Sequence, residues 1–234
     1  MIGQKTHTSR AKLDVPIAKT TGTSEPETTA TEVSDESGKI ASVPIVGVGA
    51  SAGGLEAFTQ LLNHLPPDTG FAFVFVQHLD PRHASVLPKI LSAKTRMRVR
   101  EAADGDVLKP NIVFVLPADK SITVSQRLLR LSPRLEAGGL HHPIDAFLRS
   151  LAIDRKSSAI GVILSGSGSD GAFGIQAIKD EGGIIFAQDE KSSQHAGMPQ
   201  SAIATGCVDF VLSPEGIARE LALLGGHSYI VQQP

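Results

Sequence analysis

The chain is 234 residues long, with a formal net charge of −2, no Trp and one cysteine, Cys207. That length suffices for one substantial α/β domain with a well-filled core. Without a basic excess, and with aromatics at only 4%, a basic or base-stacking nucleic-acid surface is not expected; one cysteine excludes an internal disulfide framework and a multi-cysteine metal site.

No apolar run reaches the roughly 18 residues of a membrane-spanning helix, so no membrane insertion is expected. Met1-Ile2-Gly3-Gln4-Lys5 lacks an apolar signal core, and a cytoplasmic location is the default. Residues 1 to about 40 are rich in Thr, Ser and Glu, with sparse, aperiodic apolar residues. They bury too little surface to offset ordering entropy and are expected to form a disordered tail. The domain is placed at 41–228 and a short C-terminal tail at 229–234.

From Ala41 onward strands and helices alternate. Ile45 to Val48 reads as a short buried strand, followed by a helix with Leu55, Phe58, Leu61 and Leu62 on one face. Pro66-Pro67-Asp68-Thr69-Gly70 is a turn, and Phe71 to Val76 is a continuous apolar strand of the kind buried on both faces of a parallel sheet. Ser85 to Ala93 carries a helical stripe of Val86, Leu87, Ile90 and Leu91. The charged run Lys94 to Glu101 reads as a solvated face, with an edge strand over Arg96 to Arg100. Ile112 to Leu116 is a strand, and Ile122-Thr123-Val124 with Leu128 to Leu131 a small hairpin. After Gly138-Gly139, His141-His142-Pro143-Ile144-Asp145 opens a helix with the stripe Ile144, Phe147, Leu148, Leu151 and Ile153. Ala159 to Leu164 is a buried strand, and a loop of Gly and Ser leads to a helix with Phe173, Ile175 and Ile178. Gly182-Gly183 ends that helix. A strand over Ile184 to Ala187, a short helix at Ala202-Ile203-Ala204, a strand over Val208 to Leu212 and a helix from Ser213-Pro214-Glu215 complete the chain. This order predicts an α/β fold: a doubly wound, mostly parallel, Rossmann-like sheet with helices on both faces and a small β-hairpin.

Ligands of such sheets bind at the carboxyl ends of the strands. Three strand ends carry reactive groups: Ser51, His78 and Asp170. Gly49-Ala50-Ser51-Ala52-Gly53 fits the G-x-S-x-G nucleophile elbow, where unpaired N–H groups at the helix start face a developing oxyanion. Gly47-Val48-Gly49-Ala50-Ser51-Ala52 equally fits the dinucleotide pattern G-x-G-x-x-G/A, and small residues that merely let strand and helix pack are a third reading. A serine needs a base, an imidazole titrates near neutrality, and a carboxylate fixes its tautomer, so Ser51, His78 and Asp170 make a plausible triad. Taken singly, a histidine after a strand is a packing residue and an aspartate before a helix is its N-cap. The Gly-Ser loop 165–171 suits a phosphate cradle but lacks the P-loop lysine. The dinucleotide reading is weakened by His78 where a ribose-binding acid belongs. No spacing of His141, His142 and His195 assembles a three-ligand metal site, so no metal and no cofactor are expected. Asp189 is read as supporting or structural, and Cys207 as core.

Several short motifs occur in one order: Ser51-Ala52-Gly53-Gly54 after an apolar strand, Val76-Gln77-His78, Glu101-Ala102-Ala103-Asp104-Gly105, His142-Pro143-Ile144-Asp145, Ser165-Gly166-Ser167-Gly168-Ser169-Asp170-Gly171, Ala187-Gln188-Asp189 and Gly197-Met198-Pro199. Over about residues 43 to 225 the chain resembles the catalytic domain of the chemotaxis protein-glutamate methylesterases, the CheB family. The resemblance implies a serine carboxylesterase of chemotaxis signal transduction that hydrolyses γ-glutamyl methyl esters on the cytoplasmic region of methylated chemoreceptors, often also deamidating receptor Gln. It implies a triad on Ser51, His78 and Asp170, with Ala52, Gly166, Ser167 and Met198 around the oxyanion and substrate. Ala52 stands where the family commonly has Thr, and Leu164-Ser165-Gly166-Ser167-Gly168 where it commonly has Leu-Thr-Gly-Met-Gly. Many members carry a phosphorelay receiver domain, for which residues 1 to 40 are too short. The wording of the 142–145 and 165–166 segments is closer to domains fused to, or partnered with, a CheR-type methyltransferase, and a separate response regulator is the other implied partner. Two other classes stay open at this point: an inactive binding module of the same fold, and a dinucleotide-binding oxidoreductase.

Overall fold

Runs of Val, Ile and Phe that are apolar at every position can be satisfied only inside a sheet covered on both faces. In the computed structural model, which describes residues 43–78, 86–134 and 142–226, they form a seven-stranded sheet. Its strands are β1 (Ile45–Ala50), β2 (Ala72–Gln77), β3 (Arg98–Glu101), β4 (Ile112–Val115), β7 (Ala159–Ile163), β8 (Ile184–Gln188) and β9 (Phe210–Leu212). Their order is β3-β4-β2-β1-β7-β8-β9 and every neighbouring pair is parallel. The chain builds outward from β1 through β2, then returns to build outward on its other side from β7. That reversal opens a crevice between the carboxyl ends of β1 and β7, where ligands of open α/β sheets bind.

Two apolar layers cover the sheet. On one face Val46, Val48, Phe73 and Phe75 pack against α1 (Gly54–His64), α2 (Leu87–Ser92) and α6 (Pro214–Gly226) through Phe58, Leu61, Leu91, Ile217 and Leu221. On the other, Ile45, Val74 and Val76 pack against α3 (Pro143–Arg155) and α4 (Ala172–Asp180) through Ile144, Phe147, Leu148, Ile175 and Ile178. The side chains of α5 (Gly197–Ala204), Met198 and Ala202, join this second layer. The hairpin of β5 (Lys120–Ser125) and β6 (Leu128–Pro133) lies on α3. Its turn residues Gln126 and Arg127 have φ of 52° and 65°, and the Asp154 carboxylate accepts both their N–H groups, at 2.5 and 3.4 Å.

The fold class and the hairpin are as expected from sequence. Four stripe residues are corrected. Val86, Ile90, Ile153 and Phe173 are 64, 37, 75 and 67% exposed. Phe173, for example, lies one residue off the Gly174, Ile175 and Ile178 face that α4 buries. The tail 1–40, Ser85, Gly138, Gly139, His141 and the segment 229–234 lie outside the described residues.

Candidate active site

Ser51 and His78 are brought together by strand register. Parallel pairing sets Ala50 against Gln77, so the next residue of each chain leaves neighbouring strands side by side, roughly 5 Å apart. The His78 N–H donates to the Ala50 carbonyl at 3.4 Å. Asp170 comes from across the crevice, in the loop after β7, and its Oδ2 accepts from His78 Nε2 at 2.9 Å. That bond occupies one ring nitrogen and leaves Nδ1 for a second partner.

The serine sits in a tight strand-to-helix turn. Its N–H donates to the Ser165 carbonyl at 3.0 Å, and its own carbonyl accepts from Gly54 N at 2.9 Å and Gln77 Nε2 at 3.2 Å. Gly53 precedes the helix at φ 74°, where a Cβ would come within 2.6 Å of Ser165 Oγ, so a glycine is required there. Ser165 is fully buried and ties three segments together. Its hydroxyl donates to the Ala52 carbonyl at 2.9 Å and accepts from His195 N at 2.9 Å, while its N–H donates to Gln188 Oε1 at 2.8 Å.

The glycines of the dinucleotide pattern have another use. A Cβ on Gly47 would come within 2.8 Å of Leu148 Cδ2, and one on Gly49 would overlap Ile144 Cγ2. Both glycines admit α3 onto β1 rather than a pyrophosphate, so the dinucleotide reading is corrected.

Asp170 does not cap the helix that follows it. Helix α4 starts after Gly171, which has φ 99° and no side-chain cap of its own. Asp170 caps α3 instead: Oδ2 accepts from Ile144 N at 3.0 Å and Oδ1 from Asp145 N at 2.9 Å. Asp145 returns the contact, its Oδ1 accepting from Gly171 N at 2.9 Å and Gly174 N at 2.7 Å. The start of α4 is therefore sealed by a carboxylate from α3, and the start of α3 by one from the loop that leads into α4. Gly174 makes this possible, because a Cβ there would press to 2.6 Å from Leu148 Cβ and hold the helices apart.

The two carboxylates titrate in opposite directions. Burial pushes Asp170 up, but the His78 hydrogen bond, the N–H groups of Asp145 and Ile144 and the charge of His78 together outweigh it and hold Asp170 below the usual carboxylate range. Burial, with the nearby charge of Asp170, pushes Asp145 up despite the bonds from Gly174 and Gly171. His142 Nδ1 lies 3.6 Å from Asp170 Oδ1, and one ligand atom from each of His142, Asp145 and Asp170 falls within 4.8 Å of the others. This trio is distinct from the set of histidines His141, His142 and His195 weighed from sequence. The carboxylate oxygens are nevertheless engaged by four backbone N–H groups and His78, the chemistry of helix caps.

Ser51, Ala52, Glu56, Gln77, His78 and Gln194 face an open cleft of about 750 Å³. Among the described residues, no acceptor meets the N–H of Ala52, Gly53 or Ser167. The Gly166 N–H is already donated to the His195 carbonyl at 2.9 Å. Gly166 matters instead for its missing side chain, since a Cβ would lie 2.9 Å from Ser51 Cβ and overlap Met198 Sδ. Met198 is buried, and its N–H donates to the Gly166 carbonyl at 2.8 Å. Asp189 accepts from Ser192 N at 2.9 Å and shapes a turn. Sequence reasoning assigned no role to Gln77, Gln194 and Glu56; a polar residue beside a strand-end histidine was the one available signal. No helix among the described residues is long and apolar enough to cross a membrane.

Comparison with known proteins places this geometry in context. A family model described as CheB methylesterase matches residues 46–221. A protein-glutamate methylesterase/protein-glutamine glutaminase of Moorella thermoacetica is 35% identical over 192 residues, covering 80% of this chain and 45% of that protein. One from Rhizobium johnstonii is 37% identical over 183 residues, covering 76% and 50%. The chain thus spans about half the length of the curated relatives it matches. The crystal structure of the Thermotoga maritima CheB methylesterase catalytic domain superposes with a TM-score of 0.71 at 31% identity, over 78% of this chain and 99% of that one.

Proposed function

The chain belongs to the CheB methylesterase family, and on that premise we propose that it hydrolyses γ-glutamyl methyl esters of methylated chemoreceptors, with deamidation of receptor Gln as a second activity of the same site. The catalytic unit is the domain at 41–228. Ser51 Oγ attacks the ester carbonyl while His78 Nδ1 takes its proton. The N–H groups of Ala52 and Ser167 receive the oxyanion, a contribution of about 3 kcal/mol for a well-aimed donor. His78 then protonates the departing methanol, and water, activated by the same imidazole, releases the glutamate and restores Ser51. Asp170 keeps the ring oriented with its proton on Nε2 and stabilises the imidazolium. Gly166 and Met198 shape the wall beside Ser51, and Gln77 holds the Ser51 carbonyl. The site lies in the cytoplasm beside the receptor; a CheR-type methyltransferase or a separate response regulator is the partner that fits.

The observation that carries this reading is the 2.9 Å contact between His78 Nε2 and Asp170 Oδ2, set beside Ser51 at the mouth of the cleft. The test is methanol release from a methylated receptor fragment, with ammonia release from the Gln form assayed in parallel. Wild type is expected to turn over and Ser51→Ala to fall to a residual level. Turnover by a folded Ser51→Ala protein would overturn the assignment.

A further inference from the structure

The triad accounts for Asp170 but not for the buried carboxylate packed against it. Asp145 is 8% exposed and is pushed up, out of the ordinary carboxylate range, by that burial. Keeping it there is a cost that a hydrophobic residue would avoid. Its Oδ1 collects the N–H groups of Gly171, just before α4, and Gly174, inside its first turn. Gly171 is the residue that follows Asp170, so Asp145 pins the peptide unit that aims the Asp170 carboxylate. Its own N–H donates to Oδ1 of Asp170, the oxygen that His78 does not use, and the N–H of Ile144 shares Oδ2 with His78. The Asp170 oxygens are thereby fixed from both ends, and rotation of the carboxylate away from His78 would strand two buried N–H groups.

We propose that Asp145 is a positioning residue of this hydrolase: through Oδ1 it holds the 170–171 peptide so that Asp170 presents Oδ2 to His78 Nε2. The inference rests on the triad reading above. What the position requires is an acceptor oxygen at that reach, not a charge. Asparagine supplies one; alanine does not.

The test compares Asp145→Ala and Asp145→Asn by kinetics and by the downfield proton resonance of the His78–Asp170 hydrogen bond. Asp145→Ala, folded by circular dichroism, is expected to lose about 10- to 100-fold in kcat, the scale of a misplaced catalytic group, with KM within about twofold of wild type. Its His78 resonance is expected to move or broaden away. Asp145→Asn is expected to restore the resonance and to bring kcat within about threefold of wild type. A merely structural role would lower the melting temperature and leave the resonance and kcat of the folded protein in place; that result overturns the proposal. So does an Asp145→Asn protein as impaired as Asp145→Ala. If Asp145→Ala does not fold, Asp145→Ser, whose hydroxyl falls short of Gly171 and Gly174, takes its place with the same expected loss. If wild type releases no methanol, the functional reading fails, and the resonance in the variants still decides whether Asp145 positions Asp170.

Discussion

Asp170 serves two structures at once, and its two oxygens are both committed. Were Asp170 only an N-cap, asparagine would replace it with little change in stability. With His78, Ile144 and Asp145 all donating to one carboxylate, an asparagine must turn its NH₂ toward at least one donor. Asp170→Asn is therefore expected to lose about 10⁴ in kcat through the imidazole tautomer and also about 1–3 kcal/mol of stability through the unmatched donor. Urea unfolding beside the methanol assay measures both; a variant with stability intact would show that one face of Asp170 carries no weight. The neighbouring carboxylates also fix a pH dependence. Asp170 is depressed, so its stabilisation is complete above the ordinary carboxylate range and is lost as pH falls through its folded value. Asp145 is raised, so its contribution is present in acid and is lost as pH rises through its folded value. The two oppose each other. Removing the second, by Asp145→Asn, is expected to remove the loss of stability that Asp145 brings as pH rises from about 4 to 7, so that stability at pH 7 relative to pH 4 is higher than in wild type when read by urea unfolding; a difference equal to or smaller than that of wild type would contradict the direction assigned to Asp145.

At the scale of elements, β1 shows why one pattern supported three readings. Its glycines alternate because one face of the strand must admit α3, and the small residues after it turn the chain at Ser51; the dinucleotide fit is a coincidence of those two needs. Gly49→Ala is expected to push Ile144 outward, cost about 1–3 kcal/mol and reduce kcat, because the Ile144 N–H that would shift is bonded to Asp170. Differential scanning calorimetry with the methanol assay checks this, and a neutral substitution would mean that α3 yields without cost. The strands and most helices were legible because burial on two faces leaves an unbroken apolar run, as in Phe71 to Val76. Ser51, His78 and Asp170 were legible because each ends such a run. Asp145 was visible only as an acid in the first turn of a helix, a common placement, since its partners Gly171 and Gly174 lie 26 and 29 residues away. Gln77 and Gln194 were hidden for the same reason: what gives them meaning is a cleft built by other segments.

Over the whole molecule, the site is a product of strand order more than of any one motif. Alternation of strands and helices announced a parallel sheet, but the placement of β7 beside β1, which brings Asp170 to His78, depends on contacts more than a hundred residues apart. The two sheet edges also differ. β3 ends the sheet with Arg98 and Arg100, charges that discourage further strand pairing, whereas β9 leaves Phe210 and Val211 at 39 and 45% exposed.

The crossed caps of α3 and α4 carry a consequence for how the molecule opens. A helix start sealed by its own loop frays alone, but here the first turn of α3 loses its acceptor when Asp170 leaves, and the first turn of α4 loses its acceptor when Asp145 leaves. Neither end can come undone without exposing the other, so the two starts form one cooperative unit. Amide hydrogen exchange at Ile144, Asp145, Gly171 and Gly174 is expected to report a single opening free energy, shifted together by Asp170→Asn; two separate values would mean that the starts fray independently. Tethered in this way, the aspartate that faces His78 is released only when both helices let go.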